Sequence, residues 1–150
     1  MLRRVVDEAG LQDLAAALAP LLGEGGVVFL QGELGAGKTS FARAVLRALG
    51  ERGPVRSPTY TLVESYQLGD LQVYHFDLYR LAAPEEMEYL GARDCFFPAA
   101  LCLVEWPQRA LGWLPDPDLR VTLRVHGAAR AVELAACSAR ASVWLNALRN

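Results

Sequence analysis

Apolar residues at Leu11, Leu14, Ala15, Leu18, Leu21 and Leu22 recur every three or four positions, which predicts an amphipathic helix stopped by Gly23. A short apolar start, Leu2 to Val6, precedes it. After Gly25 and Gly26 the helical period vanishes. Val27 to Leu30 is an unbroken apolar run, the pattern of a parallel strand covered on both faces. A glycine-rich stretch from Gly32 to Gly37 follows at once. From Lys38 the helical spacing resumes through Phe41, Ala44, Val45, Ala48 and Leu49, and closes at Gly50. Strand, glycine loop and helix are therefore contiguous.

The next stretch alternates instead. Tyr60 to Tyr66 and Val73 to Tyr79 read as two strands joined around Gly69 and Asp70 in a hairpin, with Val73, His75, Asp77 and Tyr79 on one face. Pro84, followed by Glu85 and Glu86, opens a short helix that ends before Gly91. Leu101 to Val104 is a second buried strand, ending in Glu105. Pro107, Pro115 and Pro117 make the following segment irregular. Leu119 to Val125 then alternates as a strand, Gly127 turns the chain into Ala131 to Ala136, and a final helix runs from Ala139 to about Leu148. The glycine loop between a buried strand and a helix, with buried parallel-type strands beside hairpin pairs, predicts one three-layer α/β domain over residues 1–150, of the P-loop NTPase class, around a mixed, mainly parallel central sheet.

Charge narrows the functions open to it. With 15 Lys plus Arg against 17 Asp plus Glu, the net charge of −2 supplies no general field to attract nucleic acid. Lys38 is the one lysine, so chemistry needing an ammonium must use it or the N-terminus. Cys95, Cys102 and Cys137 form no C-x-x-C pair, which argues against a disulfide framework or a zinc site and for reduced, mostly buried thiols in a cytoplasm. The longest apolar run, Leu14 to Leu22, is about half of what a bilayer span needs and contains Pro20, so no membrane role is expected. Arg3 and Arg4 before an Ala-rich stretch hint at a signal peptide, but Asp7, Glu8 and Asp13 interrupt any apolar region.

Gly32-Glu33-Leu34-Gly35-Ala36-Gly37-Lys38-Thr39 satisfies G-x-x-x-x-G-K-[ST] between the strand and helix that such a loop requires. Its glycines let the backbone curl so that successive N–H groups face phosphate oxygens, and the helix opening at Lys38 adds the positive end of its dipole. Lys38 suits the β and γ phosphates and the Thr39 hydroxyl suits Mg²⁺. Such a loop also needs an acidic group for the metal and something to orient the nucleophile. Glu105, at the C-terminal edge of a buried strand, and Asp77, beside His75 and Tyr79, are the candidates. His75 alone reads as structural. Arg56-Ser57-Pro58-Thr59 is either a mobile loop offering hydroxyls or a proline-defined turn, Trp106 either stacks a ligand or packs, and Arg80 and Arg130 either neutralise phosphate or are solvated.

Together, Gly-Glu-Leu-Gly-Ala-Gly-Lys-Thr at 32–39, Ser-Pro-Thr-Tyr-Thr-Leu-Val-Glu at 57–64, Tyr-His-Phe-Asp-Leu-Tyr-Arg-Leu at 74–81 and Leu-Val-Glu-Trp-Pro at 103–107 closely resemble the bacterial TsaE family, also called YjeE. The resemblance spans nearly the whole chain, and the H-x-D-x-Y-R and E-W-P elements are more specific than the glycine loop. It implies a small Mg²⁺-dependent ATPase that assists TsaB and TsaD, with TsaC upstream supplying threonylcarbamoyl-adenylate, in making threonylcarbamoyladenosine beside the tRNA anticodon. By that resemblance Glu33, Leu34, Gly35, Ala36, Gly37, Lys38, Thr39 and Ser40 hold the ATP phosphates, and Thr39 and Glu105 hold Mg²⁺. Asp77 is then the acid required for hydrolysis, Thr59 a switch-type residue near the γ-phosphate, and Arg130 a neighbour of the nucleotide. The chain departs from the pattern at Ala129, where the family has glycine before the arginine, and at Leu11, where a threonine is common. The transfer therefore leaves the Arg130 turn in question and omits a contact at Leu11.

Two rival functions fit the loop alone. A small-molecule kinase would need a lid and a second substrate pocket, for which the chain has little spare sequence. A GTP-operated switch would read guanine through N-K-x-D, which a chain whose only lysine is Lys38 cannot supply. The tRNA is expected to meet this protein only through its partners.

Overall fold

The computed structural model describes residues 1–149. In chain order it has β1 (Leu2–Val6), α1 (Glu8–Leu18), β2 (Gly26–Gln31), α2 (Lys38–Ala48), β3 (Val63–Leu68), β4 (Leu71–Asp77), α3 (Glu86–Tyr89), β5 (Leu101–Glu105), β6 (Leu119–His126), β7 (Ala129–Ala136) and α4 (Ala139–Arg149). The strands form one seven-stranded sheet in the order β1-β7-β6-β2-β5-β4-β3. Its centre is parallel: β2 lies between β6 and β5, and β5 pairs with β4. Both margins are antiparallel, β3 against β4 on one side and the β6-β7-β1 ladder on the other.

Side-chain alternation in these strands splits the core in two. Val28 and Leu30 of β2, Val73 of β4 and Leu101 and Leu103 of β5 face α1, α2 and α4, meeting Leu14, Leu18, Phe41, Val45 and Trp144. Phe29, Phe76, Cys102 and Val104 face the other way, under α3 and short turns carrying Leu81, Met87, Cys95 and Ala110. The second helical layer is thus thin, and the three layers are unequal. Cys95 and Cys102 are buried and Cys137 is exposed. No helix among the described residues is long and apolar enough to cross a membrane.

Several boundaries depart from expectation for identifiable reasons. The first helix begins at Glu8 because the Asp7 carboxylate accepts the Gly10 N–H at 2.7 Å, and past Leu18 it tightens into a 3₁₀ turn through Pro20. The strand expected over Tyr60 to Tyr66 starts only at Val63. Before it, Leu62 sits at φ 68° and donates its N–H to Pro58, so residues 58–62 form a turn. The partner expected over Val73 to Tyr79 is shifted the opposite way along the chain, starting at Leu71 and stopping at Asp77, whose carboxylate accepts the Tyr79 N–H at 3.1 Å. Tyr79 is therefore off the strand, while Val73, His75 and Asp77 share its inner face. At the final hairpin Gly127, at φ 61°, makes the turn, so Ala129 can enter β7 in place of a glycine.

Candidate functional site

Three parallel strands, β2, β5 and β4, end at the same edge, and the chain leaving β2 curls over it. Gly32, at φ 149°, lies so close to β6 that a Cβ there would meet the Leu123 carbonyl oxygen at 2.4 Å. Gly37, at φ 106°, precedes α2 with no side-chain cap, so the first N–H groups of that helix have no partner within it. They open into a cleft of about 620 Å³ lined by Leu34, Gly35, Gly37, Lys38, Thr39 and Ser40 on one side and by Thr59, Asp77, Tyr79, Arg80, Glu105 and Trp106 on the other.

The strand register sets the second wall. Asp77 and Glu105 are direct partners across β4 and β5, so their side chains leave the same face side by side. Glu105 is 2% exposed and Asp77 7%, both far more buried than carboxylates usually are. Both oxygens of Glu105 accept the Thr39 hydroxyl, at 2.9 and 3.0 Å, linking β5 to the opening of α2. Burial, and then the neighbouring Glu105, push the Asp77 carboxyl above the ordinary carboxylate range, outweighing the Tyr79 N–H, His75 and Lys38. Lys38 is 4% exposed, and its ammonium donates to the carbonyls of Gly32 and Glu33 at 2.6 and 2.8 Å. Burial lowers its pKa from the ordinary lysine value, against the opposing pull of Glu105 and Asp77.

The expected residues are mostly together, and a few stand elsewhere. Glu33 and Ala36 do not line the cleft: Glu33 points into solvent while its carbonyl receives Lys38, and Ala36 is buried beneath the loop. Arg130 lines the cleft, and its guanidinium grips the loop's backbone, donating to the Ala36 carbonyl at 3.0 Å and the Gly35 carbonyl at 3.3 Å. Leu11 reaches the same loop, with its Cδ2 within 3.5 Å of where a Cβ on Gly37 would stand. Thr59 is at the cleft, its hydroxyl 2.7 Å from that of Ser57.

Two side chains carry more of the site than the sequence reading allowed. Trp106 adopts φ 57°, rare for so large a residue, and so swings its ring over the Lys38 ammonium, 4.5 Å from the ring centre. The adjacent E-W-P tripeptide was the available signal. His75 is 1% exposed and lies 2.6 Å from Glu105, a contact that only the strand register reveals.

Chemically, backbone donors, a helix start and one ammonium make an anion cradle suited to phosphate. No group of three His, Cys, Asp or Glu side chains among the described residues could hold a metal ion by themselves. A hydroxyl beside one carboxylate does suit Mg²⁺, which keeps waters and takes further ligands from phosphate.

A family model described as threonylcarbamoyl adenosine biosynthesis protein TsaE matches residues 5–132. The tRNA threonylcarbamoyladenosine biosynthesis protein TsaE of Haemophilus influenzae is 49% identical over 110 residues, 73% of this chain and 70% of that protein. The Bacillus subtilis protein of the same name is 36% identical over 124 residues, 83% of this chain and 77% of the other. The crystal structure of Bacillus subtilis YdiB superposes with a TM-score of 0.76 at 27% identity, covering 99% of this chain and 93% of that one. The α/β P-loop NTPase fold around a mixed sheet, expected from the strand and loop pattern, is the fold found.

Proposed function

The chain belongs to the TsaE family of threonylcarbamoyl adenosine biosynthesis proteins, and from that premise we propose that it is a Mg²⁺-dependent ATPase serving tRNA N6-threonylcarbamoyladenosine modification. One observation carries this reading: Lys38 and Thr39 at the start of α2 face Asp77 and Glu105 across a single cleft. The loop from Glu33 to Ser40 holds the phosphates through its N–H groups, and Lys38 leaves its carbonyl partners for the β and γ oxygens. Thr39 and Glu105 hold Mg²⁺, which when bound neutralises charge on those oxygens. Asp77, with its proton affinity raised and one oxygen engaged by Tyr79, turns the other toward the cleft to orient the attacking water. Thr59 stands on the loop able to close over the γ-phosphate, and Arg130, at the cleft, braces the backbone of the cradle.

TsaB and TsaD are the proposed partners, with TsaC upstream, in the cytoplasm. A net charge of −2 leaves tRNA to that complex. The test is phosphate release from ATP and Mg²⁺ by the purified chain, with and without TsaB and TsaD. Slow release that the partners accelerate is expected. Rapid release indifferent to them overturns the partner role, and no release in either case overturns the ATPase.

A further inference from the structure

His75 takes no part in the reading above. It is 1% exposed, does not line the cleft, and so cannot touch a substrate there. Its register partner on β5 is Leu103, two residues before Glu105, so the ring reaches diagonally along the shared inner face. Nε2 lies 2.6 Å from Glu105 Oε2. A carboxylate oxygen accepts, so Nε2 donates. The other nitrogen, Nδ1, is the one buried side-chain polar atom among the described residues with no hydrogen-bond partner. The ring is therefore seated for a single bond at the expense of its second, the reverse of what a merely space-filling histidine would do.

The bond settles a conflict between two carboxylates. Asp77 and Glu105 are cross-strand partners that repel each other, and each has several low-energy rotamers. With Oε2 tethered to His75 and both oxygens under the Thr39 hydroxyl, Glu105 is held in one orientation against the start of α2. Resting on the ATPase reading, we infer that His75 is a positioning residue that fixes the Glu105 carboxylate for Mg²⁺, leaving Asp77 to its separate task. A metal-binding carboxylate is tuned by the donor behind it, and loss of such a donor typically weakens metal affinity about 10- to 100-fold.

Two substitutions of nearly equal polarity separate positioning from space filling. In His75→Gln the amide nitrogen is as many bonds from Cβ as Nε2, whereas in His75→Asn it stops where Nδ1 stands. Calorimetric titration with a non-hydrolysable ATP analogue, in EDTA and across a Mg²⁺ series, reads the metal without turnover. The expected result is unchanged binding in EDTA for both variants. The Mg²⁺ concentration for half-maximal tightening should rise roughly 10- to 100-fold in His75→Asn and stay near the parent's in His75→Gln. If His75→Asn does not fold, His75→Leu serves as the donor-free variant. Equal Mg²⁺ requirements in parent and both variants, or equal losses in both variants, overturn the inference. A parent whose binding Mg²⁺ does not tighten refutes the ATPase reading instead.

Discussion

The two walls of the cleft are built by opposite means. One is a run of adjacent residues, 32–40, whose donors are mostly backbone N–H groups. The other gathers Thr59, Asp77 and Glu105 from three separated segments, and its working atoms are side chains held by strand register. Lys38 and Thr39 apart, the first wall should tolerate changes of side chain but not of backbone freedom. The second should behave the other way.

Lys38→Ala should have the largest effect, because it removes the only side-chain cation of the first wall from a chain with no second lysine. Phosphate release in the presence of TsaB and TsaD should fall to the uncatalysed background, and retention of even a tenth of the parent rate would remove Lys38 from the mechanism.

Asp77→Asn tests the second wall. It keeps the oxygen that accepts the Tyr79 N–H but cannot take a proton, and turnover should fall at least about 100-fold, the contribution usual for a proton-transfer group. The same change should raise the melting temperature at pH 7. Burial and Glu105 lift the folded-state pKa of Asp77 above its unfolded value, so the folded chain binds this proton more tightly, and stability is lost as pH rises from the unfolded pKa through the folded one. Asn is spared that loss. The gain should therefore vanish in melting curves taken below the ordinary aspartate pKa, and a gain that persists there would assign it another origin.

Gly32→Ala probes backbone in the first wall. A Cβ at 2.4 Å from the Leu123 carbonyl oxygen cannot be accommodated without moving β6 or the loop. Strain of about 1–3 kcal/mol is expected, with the midpoint of thermal unfolding falling roughly 2–4 °C per kcal/mol in a chain of this size. Leu34→Ala, by contrast, alters a residue that is 62% exposed in the same loop. It should change stability by no more than about 0.5 kcal/mol and leave phosphate release within about twofold. A large loss from Leu34→Ala, in either assay, would abolish the contrast between the walls.

That contrast also explains what could be read in advance. The loop and its two flanking elements are local, so Gly32, Lys38 and Thr39 declared their geometry through spacing alone. Glu105 reads from sequence as a strand-end carboxylate and Asp77 as one within an alternating strand, yet their pairing depends on the β4-β5 register, which neighbouring residues do not encode. The same register hid the His75 contact. The β3-β4 boundaries slipped because Leu62 occupies a left-handed conformation that no propensity rule assigns to leucine, and because Asp77 turns its side chain back to end its own strand. The pairing of β1 with β7, joining Leu2 to Leu134, left no trace in either segment.

The sheet order has a consequence for how the molecule is made. Both neighbours of β2 come from far downstream, Leu101–Glu105 on one side and residues 119–122 on the other. A nascent chain that has emerged only through Gly50 holds the complete glycine loop but has no partner for the strand beneath it. Pairings of such long sequence separation form slowly, because loop closure must precede any reward from contact. Until then β2 presents two open edges of apolar strand, a template for pairing with the wrong chain. The motif most local in sequence is thus among the last parts of the protein that synthesis can complete.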